Sequence, residues 1–387
     1  MVTTFCGTRS RRHKIAAFKF MHILHVIGAR PNFMKFAPVW LALNQREAVL
    51  QTVVHTGQHY DFSMSDIFFQ QLAVPPPDIN LQVGSASHAQ QTASIIQRFE
   101  PVVLERNPDV VLVYGDVNST LAAALVCAKL GIKIGHVEAG LRSFDRSMPE
   151  EINRLVTDQL ADQLFTPSLD GSENLIREGI DSSKIFLVGN VMIDTLQRLL
   201  PLAHERWKTD SLASGLDRYC LVTLHRPSNV DDPDKLEIIL STLEEISRDI
   251  PVIFPIHPRT AQRLGRTGAK SVSTLHFCDP VGYVDFLALQ VHATLVITDS
   301  GGIQEETTCT GVPCLTIREN TERPVTVTIG TNVLVGTNME RLKREVRNIL
   351  LGKAKQGGIP PLWNGHAGER IAEIIAPTSR QLSMAAA

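Results

Sequence analysis

The stretch Asp299-Ser300-Gly301-Gly302-Ile303-Gln304-Glu305-Glu306 lies between two readable elements. Before it, Thr294-Leu295-Val296-Ile297-Thr298 is a short β-branched apolar run that reads as a buried strand. After it, Ile303 to Thr310 reads as a helix closed by Gly311 and Pro313. A strand feeding a glycine turn that opens a helix is the repeating unit of an open α/β sheet, and it is also an anion site. Gly301 and Gly302 carry no Cβ, so an anion can approach their amides at the positive end of the helix dipole. Glu306 lies about one helical turn after Gly302, within reach of sugar hydroxyls beside a bound diphosphate. The same residues also suit an ordinary strand-to-helix turn, so the rest of the chain decides.

Working outward, strand-like runs alternate with helical patterns. Candidate strands are 22–27, 50–55, 110–114, 133–137, 163–166, 185–188, 219–224, 252–256, 274–277, 294–298 and 314–317, with helices such as 118–130 and 233–250 between them. This alternation predicts parallel sheets covered on both faces, with ligands at the carboxyl ends of the strands. Val191–Ala213 separates two sets of strands and reads as the crossing between an N-terminal half (21–190) and a C-terminal half (191–367).

The 387 residues fit two domains. The composition is 43% hydrophobic and 20% charged, with a net charge of −2, as in an ordinary soluble protein without the basic field that nucleic acid needs. No apolar run approaches the roughly 18 residues that span a bilayer. The six cysteines are scattered without C-x-x-C spacing, which favours a reduced, cytoplasmic compartment and argues against a metal cluster. Residues 1–20 hold five cations and no acid, lack a secretory apolar core, and are expected to be a disordered basic extension.

Candidate chemistry gathers just after strands. Gly28-Ala29-Arg30-Pro31 follows the first, and Arg30 and Lys35 are either phosphate-facing or solvated cations. Asp116 follows the strand 110–114, and Glu138 follows 133–137. Pro149 opens a helix on which Glu150 and Arg154 are four residues apart, as a surface ion pair or as a third acid with a phosphate-facing cation. Acids at successive strand ends are expected to repel and so raise one pKa towards neutrality. His225 and His257 each follow a strand and precede a proline, and His59 lies near the end of the second strand.

Taken in order from Met21 to about Ala376, these motifs resemble those of the non-hydrolysing UDP-N-acetylglucosamine 2-epimerases. They are Gly28-Ala-Arg-Pro31, Gly115-Asp116, Val137-Glu-Ala-Gly-Leu-Arg142, Pro149-Glu-Glu-Ile-Asn-Arg154, Asp299 to Glu306 and Thr321-Glu-Arg-Pro324. The resemblance implies two facing Rossmann-like domains in the GT-B arrangement, with the C-terminal helix (about 368–387) packing back on the first. It also implies a homodimer and no nicotinamide or other cofactor. Asp116, Glu138 and Glu150 would be the acid/base carboxylates, assisted by His225. Arg30, Ser300, Gly301 and Gly302 would hold the diphosphate of a UDP-sugar, with Lys35 and Arg323 as further cations. Arg154 and His257 would line the phosphate and sugar region. Glu306 would bind ribose, and Phe286 would lie by the uracil.

Three departures from the family pattern stand out. Asn32 replaces a glutamate common after Arg-Pro, and Arg226-Pro227-Ser228 replaces Arg-Arg-Glu after His225. The stretch Gln58-His59-Tyr60-Asp61 shares the Gln-His start of the allosteric stretch of regulated bacterial members, which makes Gln58 and His59 the candidates for an allosteric substrate contact, but has aspartate in place of the last glutamine, which argues against such regulation. Rival readings are a GT-B glycosyltransferase, an enzyme that hydrolyses the UDP-sugar, an epimerase of a related UDP-2-acetamido sugar, and a non-catalytic sensor.

Overall fold

Apolar β-branched runs repeat often enough to build two parallel sheets in series. The computed structural model describes residues 20–58, 69–209, 212–213, 215–256 and 274–377. Its first sheet has seven strands in the order β3-β2-β1-β4-β5-β6-β7, and its second has six in the order β10-β9-β8-β11-β12-β13. Each described pairing in both sheets is parallel.

The first sheet is made of β1 (Met21–Ile27), β2 (Val49–His55), β3 (Ile79–Asn80), β4 (Val110–Tyr114), β5 (Lys133–Val137), β6 (Gln163–Thr166) and β7 (Ile185–Leu187). Its helices are α1 (Arg30–Leu43), α2 (His88–Arg106), α3 (Asn118–Leu130), α4 (Pro149–Leu160) and α5 (Leu169–Arg177). Helix α6 (Val191–Thr209) then leads to the second sheet: β8 (Cys220–Thr223), β9 (Val252–Pro255), β10 (Leu275–Cys278), β11 (Leu295–Thr298), β12 (Cys314–Thr316) and β13 (Asn332–Leu334). With it come α7 (Pro227–Val230), α8 (Pro233–Ser247), α9 (Tyr283–His292), α10 (Gly301–Thr310), α11 (Pro324–Thr328), α12 (Met339–Leu350) and α13 (Ala367–Ile375). The chain therefore has the α/β, GT-B-like architecture of two helix-flanked parallel sheets.

The eleven expected strands lie within one residue of their predicted bounds. Strands β3 and β13 went unread because two or three residues carry no period. Helix α8 stops at Ser247 rather than Ile250. Helix α10 starts at Gly301, two residues before the expected Ile303, so both glycines belong to its first turn. The closing helix ends at Ile375, short of the expected run to 387. Apart from Phe20, the basic extension lies outside the described residues.

One apolar core joins the halves. Val191, Ile193, Leu196 and Leu199 of α6 pack with Phe33, Phe36 and Ala37 of α1 and with Val284, Leu287 and Ala288 of α9. Helix α13 adds Ile371, Ala372 and Ile375 to the same core. Asp194 of α6 caps α13 by accepting the Gly368 amide at 2.7 Å, and the Trp363 indole donates to the Pro167 carbonyl at 2.8 Å. The last helix thus packs against the first sheet's layer. Strand order reverses direction beside β1 and β4 in one sheet and beside β8 and β11 in the other. A crevice opens at such switch points, beyond the carboxyl ends of the strands.

Candidate active site

Both switch points carry charge. At the end of β4, Asp116 pairs with Arg154 Nη1 of α4. Arg154 is held from behind by Glu151, whose Oε2 accepts from its Nη2 at 2.6 Å and Nε at 3.0 Å. Glu151 also accepts the Ser143 and Phe144 amides at 2.9 and 3.0 Å, which fixes the loop before α4. The expected Glu150–Arg154 pair is therefore replaced by Glu151–Arg154. On α4 both i,i+3 and i,i+4 neighbours lie within reach, and the loop amides select Glu151. Glu150 is half-buried in the first turn, and among the described residues none of these ion pairs includes it.

At the end of β5, Glu138 has φ 74, a left-handed conformation costing a non-glycine residue on the order of 1–2 kcal/mol. Its surroundings overdetermine it. Glu138 Oε2 pairs with Lys35 of α1, and Oε1 accepts from Arg323 Nη2 at 3.1 Å. Arg323 precedes α11 of the second sheet's layer, so this pair crosses the cleft. Behind both acids lies a buried network. His136 contacts Asp158 Oδ1 at 2.6 Å through Nδ1 and the Gly115 carbonyl at 2.8 Å through Nε2. Asp158 Oδ2 accepts the Gly140 amide at 3.1 Å and pairs with Arg142 at 2.7 Å. One network thereby positions the loops that carry Asp116 and Glu138.

The second sheet answers with β8 and β11. Asp299, fully buried, accepts the Arg226 amide at 2.9 Å and Asn229 Nδ2 at 3.0 Å, and sits 3.0 Å from His225 Nδ1. His225 is thus aimed by Asp299 while its side chain stays 41% exposed. Ser300 takes the N-cap position of α10 without a side-chain cap bond, so the first-turn amides of Gly301 and Gly302 have no cap. A Cβ on Gly301 would stand 2.4 Å from Arg323 Nη1; only glycine lets that guanidinium cross the helix start. Arg323 Nε lies 2.7 Å from Glu305 Oε1, and Nη1 lies 3.4 Å from Glu322. Glu322 is gripped at 2.7 and 2.9 Å by Arg318. Glu306 accepts from the Tyr283 hydroxyl at 2.8 Å.

Ionisation follows charge compensation. Burial pushes Asp116 up, but Arg154, Lys35 and Arg323 outweigh it and hold the carboxyl below its usual range. Glu322 is depressed likewise: burial opposes, and Arg318 and Arg323 prevail. Burial raises Glu305 to about 7, against Arg323 and with help from Glu138. It raises Glu306 to about 7 against the Tyr283 hydroxyl. The carboxyl displaced towards neutrality is therefore not Asp116. The cations between the strand-end acids cancel the expected repulsion, and the displaced groups lie on α10.

Of the remaining expected residues, Lys35 is buried beside Glu138, and half-buried Phe286 packs near Ile303. Arg30 opens α1, but its side chain, together with His59 and His257, lies outside the described residues. Gln58 is buried; its Oε1 accepts from the Ser119 hydroxyl at 2.8 Å. Asn32 braces the first turn by accepting the Gly28 and Ala29 amides at 3.1 and 3.0 Å. Sequence reasoning missed the roles of Glu151, Asp299, Glu305, Glu322 and the His136–Asp158 pair. Asp299 alone had a signal, an acid directly after a strand.

Residues 41–376 match the family model described as UDP-N-acetylglucosamine 2-epimerase. The UDP-N-acetylglucosamine 2-epimerase of Methanocaldococcus jannaschii is 44% identical over 364 residues, covering 92% of this chain and 99% of the relative. The UDP-2,3-diacetamido-2,3-dideoxy-D-glucuronate 2-epimerase of Pseudomonas aeruginosa is also 44% identical, over 359 residues, with 92% and 99% covered. The crystal structure of the M. jannaschii enzyme in complex with UDP-GlcNAc and UDP superposes with a TM-score of 0.85 at 44% identity, covering 92% of this chain and 100% of that one. No helix among the described residues is long and apolar enough to cross a membrane. With the matched motifs converging on one cleft, the chain belongs to the UDP-N-acetylglucosamine 2-epimerase family.

Proposed function

We propose that the protein interconverts UDP-N-acetylglucosamine and UDP-N-acetylmannosamine by eliminating and re-adding UDP. C1 of the sugar is an acetal carbon, so the C2 hydrogen is not acidic at the outset. The C1–O bond to UDP must weaken first, its electron pair leaving with the diphosphate. Uncapped amides of Gly301 and Gly302, with Arg30 and Arg323, stabilise that departing charge. Positive charge at C1 then lets a carboxylate take the C2 proton, and a C1–C2 double bond forms. Returning a proton to the opposite face of C2 while UDP re-adds at C1 gives the epimer.

Two carboxylates are needed, one for each face. Asp116 and Glu138 fill these roles, with Glu150 as the third acid and His225, aimed by Asp299, assisting. Lys35, Arg154 and His257 line the phosphate and sugar region, Glu306 takes the ribose hydroxyls and Phe286 the uracil. The observation that carries this reading is the cleft-spanning Glu138–Arg323 pair, which sets a strand-end acid of one sheet against the anion turn of the other. We assign the active assembly as a cytoplasmic homodimer on the family resemblance.

A second reading concerns the sugar. Identity to the P. aeruginosa diacetamido-glucuronate enzyme equals identity to the M. jannaschii enzyme, so a UDP-2,3-diacetamido uronic acid is the competing substrate. The test is incubation with each UDP-sugar in D2O, followed by NMR. Epimerisation predicts deuterium at C2 and two UDP-sugars without net release of UDP. Accumulating UDP would make the protein a hydrolase, and unchanged spectra with both sugars would refute the reading.

A further inference from the structure

Glu305 is absent from the chemistry above, yet it is among the most crowded acids of the cleft. It is 1% exposed, and among the described residues its one ion-pair partner is Arg323. The Arg323 Nε approaches its Oε1 at 2.7 Å. That guanidinium is already shared. Nη2 serves Glu138 at 3.1 Å and Nη1 lies 3.4 Å from Glu322, so three carboxylates surround one cation. The other two have further support, from Lys35 for Glu138 and from Arg318 for Glu322. Glu305 has none of comparable quality. The charged and titratable groups around it are Arg323 and Glu322 from the segment before α11, Glu138 from the end of β5, Lys35 from α1, and Glu306 and Cys309 on its own helix.

The anion turn lies beside this cluster, because a Cβ on Gly301 would touch the Arg323 guanidinium. A diphosphate docked on the first turn of α10 therefore becomes a fourth claimant on Arg323. At short range in a poorly solvated site, an added anion raises the proton affinity of the least compensated carboxylate most. We propose that Glu305 takes up one proton from solvent when the nucleotide diphosphate docks, which releases Arg323 from it and makes nucleotide binding proton-linked. The displacement of this carboxyl towards neutrality by burial points the same way. The inference rests on the proposed UDP site but assigns Glu305 a role apart from the C2 chemistry. Neutral Glu305 no longer competes for the cation, and the guanidinium turns to the leaving group.

The test is calorimetric titration of the full-length protein with UDP at pH 8, in two buffers of different ionisation enthalpy. At that pH the terminal phosphate, with its second pKa near 6, is already ionised. The expected result is uptake approaching one proton per UDP bound by the wild type and near zero by Glu305→Gln, whose amide imitates the protonated acid. In addition, wild-type UDP affinity should fall by more than about tenfold between pH 7 and pH 9, as uptake of nearly one proton requires, whereas that of the variant should stay level. UDP binding with no buffer dependence in the wild type, or with equal uptake in the variant, overturns the role of Glu305 and leaves the epimerase reading standing. Absence of any UDP binding by the wild type overturns both. Should Glu305→Gln fold poorly, Glu305→Asp serves instead: a shortened acid keeps the buffer dependence while shifting its pH midpoint, and an unshifted midpoint counts against Glu305.

Discussion

On the first sheet, fully buried Asp158 and the partly exposed Asp116 are held below their usual range; on the second, buried Glu305 and Glu306 rise to about 7. Depth does not decide the direction, because Asp158 lies as deep as Glu305 and Glu306. Compensation does: Asp116 has Arg154, and Asp158 has His136 and Arg142, whereas Glu306 has a tyrosine hydroxyl and Glu305 shares one arginine with two other acids. The difference suits a division of labour. A base that must take a proton from carbon has to be ionised beforehand, whereas groups that surround an incoming dianion gain from being neutral. Asp299 and Glu322 fit the same rule from within the second sheet, because donors and cations surround each of them.

The hardest test of this contrast is Asp116→Asn. If the ionised acid of the first sheet does the chemistry, turnover falls roughly a thousand-fold, within the range for a lost general base, while UDP affinity stays within about threefold. Deuterium incorporation at C2 reads the first quantity and calorimetry the second. Turnover within tenfold of wild type would remove Asp116 from the mechanism.

Next in size is Arg154→Met, which attacks the compensation and spares the acid. Asp116 is depressed in the folded protein, so its contribution to stability is present above the unfolded carboxyl value of 3.8 and lost as pH falls. Removing Arg154 leaves Asp116 and Glu151 without their shared cation, at a cost of roughly 3 kcal/mol. Urea unfolding at neutral pH measures that loss. The acidic limb of kcat/KM should move to higher pH, because the acid now binds its proton more readily. An unmoved limb would mean that Arg154 does not set the ionisation of Asp116.

The second sheet is probed by Glu306→Gln. The folded value of about 7 exceeds the ordinary 4.5, so wild-type stability is fully present below about 4.5 and is lost as pH rises through 7. A shift of this size corresponds to roughly 3 kcal/mol. The glutamine keeps an acceptor for Tyr283 and does not titrate. Unfolding midpoints should therefore coincide near pH 4.5, with the variant ahead by pH 8.5. Parallel curves across that range would show that burial does not raise this carboxyl.

Strand positions and strand-end acids were legible because each depends on local pattern: β-branched runs, proline-marked helix starts, and acids just beyond a strand. Charge assignment was not. Glu150 and Glu151 are equivalent in helical spacing to Arg154, and the choice is made by the amides of Ser143 and Phe144, which no periodicity reports. Likewise Arg323 looked like one more phosphate cation, and its grip on Glu138 joins residues 185 positions apart across two sheets. The repulsion expected among successive acids was misjudged for the same reason: the intervening cations come from α1, α4 and the segment before α11, far off in sequence.

Gly301→Ala gives the smallest and most local effect. Alanine suits a helix start, so the backbone accepts it, and propensity alone would favour it slightly. The added methyl would stand 2.4 Å from Arg323 Nη1 and 2.8 Å from Cζ, so the guanidinium has to yield. Because that group sits between the anion turn and Glu138, its displacement weakens both at once. UDP affinity should fall about tenfold, roughly 1.4 kcal/mol, with a matching rise in KM and a smaller change in kcat. Unfolding free energy should change by under about 1 kcal/mol, since the arginine is the far end of a flexible side chain. If UDP bound as tightly as in the wild type while stability dropped sharply, Gly301 would be a packing position, and the two sheets would not share Arg323 as the hinge of their opposed charges.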